Sequence, residues 1–228
     1  MAVDFHTHIL PDMDDGSRSA AEALAMLRLS GEQGITEVVL TPHFYPRYDN
    51  PRHFLERRSR ALESLHSGLE PGMPSLRLGA EVYFFPHMSH SEALRELAIE
   101  GTDCILVEMP AAPWTDGMYR ELESIADNQG LTPILAHVDR YLGRFRDHGI
   151  PKRLSELPVL VQANASAFLE GSRGMKLLRD RQIHLLGSDC HNMHNRPPNL
   201  AEARAHIARR LGKEALDWID DHGREVLG

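Results

Sequence analysis

Nine residues that bind divalent metal ions well follow short apolar runs along this chain, in one ordered series. The series is His6, His8, Asp15, His43, Glu81, Glu108, His137, Asp189 and His191. Imidazole nitrogens and carboxylate oxygens are the ligands that borderline-to-hard divalent ions prefer. Nine ligands exceed the needs of one ion, so we predict a centre for two or three metals. Clusters of that kind usually activate water for hydrolysis.

The elements that must position these residues alternate between β-rich runs and amphipathic helical stretches. This alternation predicts repeated βα units and a parallel sheet, within one domain over residues 1–228. The seven predicted strands are Val3–Phe5, Glu37–Leu40, Leu76–Ala80, Cys104–Val107, Pro133–Ala136, Val159–Ala163 and Ile183–Leu186. The predicted helices are Ser19–Gln33, His53–Ser67, Ser91–Ile99, Met118–Gln129, Gly174–Arg181, Leu200–Leu211 and Glu214–His222. Ser19 and Glu22 have the spacing of a capping box at the start of the first helix.

Six of the seven predicted strands lead into a member of the metal-binding series. The sixth strand instead ends in Gln162 and Asn164, which are polar but poor metal ligands. Parallel barrels carry their chemistry at the C-terminal ends of the strands, so the nine residues should meet on one face. An isolated His-x-His pair would be weak evidence, because such pairs also occur in ordinary loops.

The bulk composition limits the classes of function. A formal charge of −8 argues against nucleic acid as the main partner. Three bound divalent ions would bring this balance to about −2. Two cysteines, Cys104 and Cys190, cannot build a disulfide framework. The apolar runs are too short to span a membrane, and the first residues lack the features of a signal peptide. We therefore expect a cytoplasmic protein without membrane insertion.

The run Asp4-Phe5-His6-Thr7-His8, followed by Asp14-Asp15-Gly16, resembles the opening motif of the PHP (polymerase and histidinol phosphatase) superfamily. The later motifs that match are Thr41-Pro42-His43, Gly79-Ala80-Glu81, Glu108, Ala136-His137-Val138-Asp139-Arg140 and Ser188-Asp189-Cys190-His191-Asn192. Within that superfamily the chain is most similar to the bacterial CpsB/CapC/YwqE protein-tyrosine phosphatases. The features that carry this similarity are HTHILPDMDDGS, the compact length, and SDCHN followed by Arg196-Pro197-Pro198. The resemblance spans essentially the whole chain.

The resemblance implies an α/β fold, a distorted seven-stranded (βα)7 TIM-like barrel called the PHP fold, with a trinuclear metal centre. The three implied ligand sets are His6, His8, Glu81 and Asp189; Glu81, Glu108 and His137; and Asp15, His43 and His191. Glu81 would bridge two of the metals. The family usually works with manganese, and this donor set also suits Fe, Co or Zn better than calcium.

The activity implied by the resemblance is metal-dependent hydrolysis of phosphotyrosine, in which a metal-bound hydroxide attacks phosphorus in line. Arg140 and Arg196 match the family's phosphate-binding arginines and are predicted to be catalytic, since a guanidinium can donate two parallel hydrogen bonds to phosphate. The alternative for each is a surface salt bridge. By family analogy, the partner would be the phosphotyrosine tail of a bacterial tyrosine autokinase that controls capsular or exopolysaccharide synthesis.

The leaving group sets how much acid catalysis this reaction needs. A tyrosine phenolate leaves with a pKa of about 10, so a dedicated general acid is helpful but not compulsory. Asp139 or a metal-bound water could serve. Several aromatic side chains could wall a slot for the phenyl ring or simply pack the barrel rim. They are Tyr45, Tyr48, Tyr83, Phe84 and Phe85.

Four other interpretations compete with this one. Cys190 and Arg196 have the Cys-x5-Arg spacing of cysteine-dependent phosphatases, but no glycine lies between them to form an amide cradle for phosphate. We therefore interpret Cys190 as a small residue lining the site. A histidinol-phosphatase-like enzyme for small phosphomonoesters would share the metal chemistry. The acidic charge disfavours a nuclease, and the complete ligand set disfavours a metal-stabilised, kinase-binding regulatory module.

Overall fold

Short strands and helices alternate along the chain in the computed structural model, which describes residues 1–142, 149–169 and 172–228. The strands are β1 Val3–Thr7, β2 Glu37–Leu40, β3 His43–Phe44, β4 Ser75–Leu78, β5 Glu81–Tyr83, β6 Cys104–Glu108, β7 Thr132–Leu135, β8 Leu160–Asn164 and β9 Leu185–Gly187. The helices are α1 Ala20–Glu32, α2 Pro51–Glu63, α3 Leu94–Leu97, α4 Asp116–Gln129, α5 Ile150–Leu154, α6 Ser166–Leu169, α7 Arg173–Arg179, α8 Leu200–Leu211 and α9 Lys213–Leu227.

The strands form one curled arrangement of two parallel sheets. The orders are β1-β2-β4 and β3-β5-β6-β7-β8-β9. Thr7 bridges to Cys190 in parallel, and the amide of Asp189 donates to the carbonyl of His6 at 2.8 Å. These contacts join the first strand to the segment that follows the last one. The sheet therefore curls back on itself and brings its strand ends together.

The prediction of an α/β fold with a parallel sheet is confirmed, but the strands are divided differently. The predicted second and third strands each continue, after two residues, into a second short strand. Pro42 lies in the first interruption and has no amide to donate. Arg58 reaches the second interruption, where its Nη1 donates to the carbonyl of Gly79 at 2.8 Å. Backbone bonds from Gly79 to Leu40 and from Glu81 to Pro42 span both breaks.

Local sequence signals explain where the first two helices begin. Ser19 caps α1, since its side chain accepts from the amide of Glu22 at 3.2 Å. Asn50 caps α2, with Pro51 in the first turn, so this helix begins earlier than predicted. The helix predicted over Ser91–Ile99 is reduced to α3. The short helices α5 and α6 were not predicted.

Two hydrophobic clusters fill the fold, and the smaller one supports the face that carries the site. It includes Leu106, and Leu160 packs against it. Leu106 lies two residues before Glu108 and Leu160 two before Gln162, so strand alternation puts each pair on one face. This apolar cluster forms the floor below the polar residues. Among the described helices, none combines the length and apolar character needed to cross a membrane.

Candidate metal centre

The nine predicted ligands lie together at the C-terminal ends of the strands, with Glu81 in the middle. Glu81 Oε2 lies 3.2 Å from His6 Nε2, 3.4 Å from His8 Nε2 and 2.9 Å from His43 Nδ1. Its other oxygen, Oε1, lies 2.9 Å from His137 Nε2. One carboxylate from β5 therefore contacts imidazoles that follow three other strand ends. This is the position expected of a bridging ligand.

Asp189 and His191, which follow β9, close the cluster next to β1. Asp189 Oδ1 lies 3.7 Å from His6 Nε2 and 3.4 Å from His8 Nε2. Asp15 Oδ1 lies 3.4 Å from His191 Nε2 and 3.6 Å from His43 Nε2, although the Asp15 side chain is mostly exposed. Residues from opposite ends of the sequence therefore share one group of donor atoms.

Glu108, at the end of β6, lies at the outer edge of the cluster. Its Oε1 is 3.6 Å from His137 Nε2, and its Oε2 is 3.9 Å from His43 Nδ1. Among the described residues, three groups of side chains each have donor atoms that all lie within 4.8 Å of one another. The groups are His6, His8 and Glu81; His43, Glu81 and Glu108; and His8, Asp15, His43 and His191. The structure thus places all nine side chains together, and their role as ligands stays a prediction.

Several donor atoms fit a bound cation because they are buried without a hydrogen-bond partner among the described residues. They include Glu81 Oε2 and His43 Nδ1, which face each other without a well-aligned hydrogen bond. The Nε2 atoms of His6 and His8 are only 3.1 Å apart. Unpaired buried polar groups cost about 1–3 kcal/mol each. A divalent ion would satisfy these lone pairs, so the donor set is compatible with metal binding.

The electrostatics of the cluster keep its central carboxylates ionised. Burial alone would raise the pKa of Glu81, but the charge of His6 and the hydrogen bond from His137 hold this pKa well below its usual range. Burial likewise opposes ionisation of Asp189, whose pKa is held well below its usual range by His6 and His8. The centre therefore offers anionic oxygen ligands at neutral pH.

The histidines of the cluster differ in their protonation. Burial, together with the charges of His8 and Arg196, lowers the pKa of His191 to about 4, so its imidazole is neutral. Burial also disfavours charge on His8, but the hydrogen bonds that its ring donates to Asp14, Asp189 and Glu81 raise its pKa well above the usual value. A cation bound here would replace the proton that these carboxylates stabilise.

Asp14 orients two of the predicted ligands, a role that the sequence analysis did not assign. Its Oδ2 accepts from His8 Nδ1 at 2.7 Å and from the amide of His43 at 2.8 Å. Its Oδ1 accepts from the amide of Gly16 at 2.9 Å. A carboxylate on the far ring nitrogen fixes the tautomer of a metal-binding histidine. The pair Asp14-Asp15 was visible in the sequence, but spacing alone could not show which aspartate orients the histidines and which is the predicted ligand.

The sixth predicted strand supports the cluster although it supplies no predicted ligand. Gln162 Oε1 accepts from the amide of His137 at 2.6 Å, and its Nε2 donates to Asn164 Oδ1 at 3.1 Å. Asn164 Nδ2 then donates to Asp189 Oδ2 at 2.8 Å. Asp4 has a comparable role in β1, where its Oδ1 accepts from the amides of His6 and Ser188. The sequence signal for this supporting role was the presence of polar residues (Asp4, Gln162 and Asn164) at positions within buried strands.

The two predicted catalytic arginines meet at one carboxylate oxygen beside the cluster. Arg140 Nη2 and Arg196 Nη2 both contact Asp189 Oδ2, the latter at 2.6 Å. Arg196 Nη1 also lies 2.8 Å from His191 Nε2. Both guanidinium groups are partly exposed. Both arginines therefore form salt bridges, as in the alternative interpretation. Their partner is Asp189, a predicted metal ligand, so both guanidinium groups lie next to the candidate metal centre.

Three further residues considered in the sequence analysis lie away from the open part of the site. Cys190 is fully buried in the main hydrophobic core, so it does not line an open site as predicted. Burial and the negative charge of Asp4 raise the pKa of its thiol well above the usual value, which disfavours a thiolate nucleophile. Phe84 is buried in the same core, and Phe85 packs against it.

Asp139, one of the candidates for a general acid, is bound to the sixth predicted strand. Its Oδ1 accepts from the amide of Asn164 at 2.9 Å. Burial raises the pKa of Asp139 above its usual value. The protonated form is therefore easier to populate here than on the surface.

Comparisons with known proteins give matches over nearly the whole chain. The family model for capsular polysaccharide synthesis, CpsB/CapC, matches residues 2–223. The tyrosine-protein phosphatase CpsB of Streptococcus agalactiae is 27% identical, over 95% of this chain and 94% of the relative. The tyrosine-protein phosphatase YwqE of Bacillus subtilis is 28% identical, over 99% of this chain and 91% of the relative.

A solved structure shares the fold. It comes from work on YwqE of Bacillus subtilis and CpsB of Streptococcus pneumoniae, which are described as metal-dependent tyrosine phosphatases. Its TM-score is 0.86 at 24% identity, and the match covers 99% of this chain and 94% of that one. The curled parallel sheet is thus an arrangement that an experimentally solved structure also has.

Proposed function

Because this chain belongs to the CpsB/CapC family, we propose that it is a metal-dependent protein-tyrosine phosphatase. The observation that carries the proposal is the buried Glu81 carboxylate, which lies within 3.4 Å of four imidazoles. The names of the two curated relatives support the same activity.

We propose that three divalent ions bind here, with manganese expected first and Fe, Co or Zn as alternatives. The residues that would hold them are His6, His8, Glu81 and Asp189; Glu81, Glu108 and His137; and Asp15, His43 and His191. When bound, such ions neutralise charge on phosphoryl oxygens and lower the pKa of water towards neutrality. The interrupted strands would together form one distorted seven-stranded barrel in a single domain over residues 1–228.

The chain's own residues would bind and orient the phosphate. Arg140 and Arg196 are positioned beside Asp189, and each has donors that can turn towards a phosphate oxygen. Charge on a transferring phosphoryl group is spread over three oxygens, so two guanidinium groups at its edge stabilise it. When the arginines turn from Asp189 towards the phosphate, the hydrogen bonds from Asn164 to Asp189 and from the His137 amide to Gln162 would keep Asp189 and His137 in place.

The proposed substrate is a phosphotyrosine protein, and the partner is the phosphotyrosine tail of a bacterial tyrosine autokinase that controls capsular or exopolysaccharide synthesis. The family description in terms of capsular polysaccharide synthesis supports this proposal. A phenolate is a good leaving group, with a pKa of about 10. The reaction can therefore proceed without a dedicated acid, and Asp139, whose pKa is raised by burial, is the candidate if an acid takes part.

The proposal is tested with metal-stripped protein, to which manganese is added back, on a phosphotyrosine peptide and on histidinol phosphate. We expect manganese-restored hydrolysis of the peptide and little of histidinol phosphate. Glu81→Gln should lose bound metal together with activity, because it removes the central negative charge. Glu63→Gln, an exposed glutamate on α2, is the matched control and should keep both.

Two results would contradict this proposal. Preference for histidinol phosphate would replace the substrate while keeping the metal centre. Hydrolysis that survives complete metal removal would eliminate the metal-dependent reaction itself.

A further inference from the structure

The exposure of the donors locates the mouth of the metal centre. The exposed fractions of the Asp15, Glu108 and His43 side chains are 70%, 17% and 12%. His6 and Glu81, in contrast, are fully buried. A phosphate monoester must reach the centre from the side of the exposed donors. The part of the substrate that follows the phosphate would therefore lie on the side of Asp15, Glu108 and His43.

Two tyrosines lie at this mouth because of the strand register. His43 in β3 pairs with Glu81 in β5. Tyr45 and Tyr83 each follow two residues later, so they lie side by side on the face of the sheet that carries His43 and Glu81. Their ring centroids are 5.8 Å apart. The Tyr45 ring also stacks on the His43 imidazole, with centroids 5.0 Å apart and planes inclined by 29°. We call Tyr45 and Tyr83 the aromatic rim.

Within the aromatic rim, Tyr45 is exposed and its backbone is held by hydrogen bonds, while Tyr83 is half-buried. Tyr45 is 36% exposed and is one of four large apolar side chains found on the surface of the described residues. Its amide donates to Asp49 Oδ2 at 2.7 Å, and its carbonyl accepts from the amides of Tyr48 and Asp49 at 2.8 Å. The Tyr45 ring is therefore available to a ligand that reaches the candidate metal centre, and its backbone is already ordered.

We propose that the aromatic rim packs against the phenyl ring of phosphotyrosine and makes the site selective for aryl over alkyl phosphates. This inference rests on the proposed function. The phenyl ring of an aryl phosphate lies one bridging oxygen away from phosphorus, within reach of a ring that already covers His43. Aromatic pairs are favourable at centroid distances of about 4.5–7 Å in tilted or offset geometry. The aromatic rim then recognises the ring, while Arg140 and Arg196 recognise the phosphate.

The test compares two non-hydrolysable anions, benzylphosphonate and ethylphosphonate, in which a methylene group takes the place of the bridging oxygen. Their dissociation constants are measured by titration calorimetry on manganese-loaded protein. We expect benzylphosphonate to bind more tightly to the unmodified protein. Tyr45→Leu should reduce this preference by about two- to tenfold, the range expected for loss of one aromatic pair. Tyr45→Phe should retain the preference.

Tyr48→Leu is the matched control, because Tyr48 lies on the same turn but is 80% exposed. It should leave the preference unchanged. A Tyr45→Leu protein with an unchanged ratio of the two constants would overturn the inference. So would equal weakening of both phosphonates, which would mean that Tyr45 only supports His43. Failure of both anions to bind the unmodified, metal-loaded protein would contradict the proposed function as well.

Discussion

At the scale of single residues, the orientation of His8 depends on Asp14. The hydrogen bond from His8 Nδ1 to Asp14 leaves Nε2 facing Glu81 and Asp189. The same carboxylate also fixes the amide of His43, so one side chain sets the geometry of two predicted ligands. Such outer partners of metal ligands are expected to influence affinity as much as the ligands' own basicity does.

We predict that Asp14→Asn weakens manganese binding about 10- to 100-fold, because the neutral amide orients His8 less strongly. Binding is measured by titrating metal-free protein with manganese. Asp12→Asn is the control: Asp12 lies on the same loop, has a φ of 57° that asparagine also adopts, and points to solvent. Equal affinities of the two variants would contradict the orienting role of Asp14.

A second residue-scale prediction concerns His184, far from the metal centre. The amide of Val161 donates to His184 Nδ1 at 3.0 Å, so this nitrogen must be unprotonated. Burial and the nearby charge of His222 lower the pKa of His184 to about 4. The ordinary value in an unfolded chain is about 6.5. Between these two values the unfolded chain binds the extra proton, so folding stability falls as the pH decreases.

We therefore expect the free energy of unfolding to decrease as the pH is lowered from about 6.5 to about 4, partly through His184. Above about pH 6.5, His184 should add no pH dependence to this free energy. His184→Asn keeps an acceptor for Val161 but does not titrate, so its stability should fall less on acidification. Urea unfolding of both metal-free proteins at several pH values measures the difference. Parallel pH profiles would show that His184 has no such role.

At the scale of elements, the break between β4 and β5 depends on α2. Arg58 on α2 is buried, and its guanidinium donates to the carbonyls of Gly79 and Glu96 at 2.8 and 3.2 Å. This contact stabilises the kink two residues before Glu81. A helix thus fixes the strand end on which the central carboxylate lies.

We predict that Arg58→Ala lowers the free energy of unfolding by about 2–4 kcal/mol, because the buried carbonyl of Gly79 and the partly buried carbonyl of Glu96 lose a charged donor. Arg60→Ala, an exposed arginine on the same helix, should change it by less than about 0.5 kcal/mol. Chemical denaturation of both variants measures this. A loss of similar size at Arg60 would indicate a general effect of charge on α2 rather than the contact at Gly79.

At the scale of the whole molecule, the proposed metals would link strands from around the curled sheet. Their proposed ligands come from β1, β3, β5 and β6 and from the segments after β1, β7 and β9. A ligand that binds only the folded chain stabilises it by about 2.7 kcal/mol at a concentration 100 times its dissociation constant. Metal binding should therefore stabilise the contact between β1 and the segment after β9.

We predict that manganese raises the melting temperature of metal-free protein and that a chelator reverses the rise. Calcium should have less effect, because imidazole-rich sites suit transition metals better. Glu81→Gln should reduce the manganese effect, measured by calorimetry over a range of metal concentrations. A melting temperature independent of manganese would argue against the proposed centre.

The sequence alone determined the kind of chemistry and where in the fold it lies. The nine donor residues are identified by type, and their positions after β-rich runs predict one face of a parallel sheet. That prediction needs only local information, because a strand's end and its alternating faces are properties of short segments. The α/β architecture followed from the alternation of β-rich and helical stretches. The N-terminal cap of the first helix followed from the spacing of Ser19 and Glu22.

Only the tertiary structure decided which side chains meet across strands. It assigned Asp14 to orientation and Gln162 and Asn164 to support of the ligands, and it placed Cys190 in the core. It also brought both arginines to Asp189 and divided two predicted strands at Pro42 and at the carbonyl bound by Arg58. Most of these outcomes depend on register and on contacts between segments more than 20 residues apart, which the spacing along one segment does not specify.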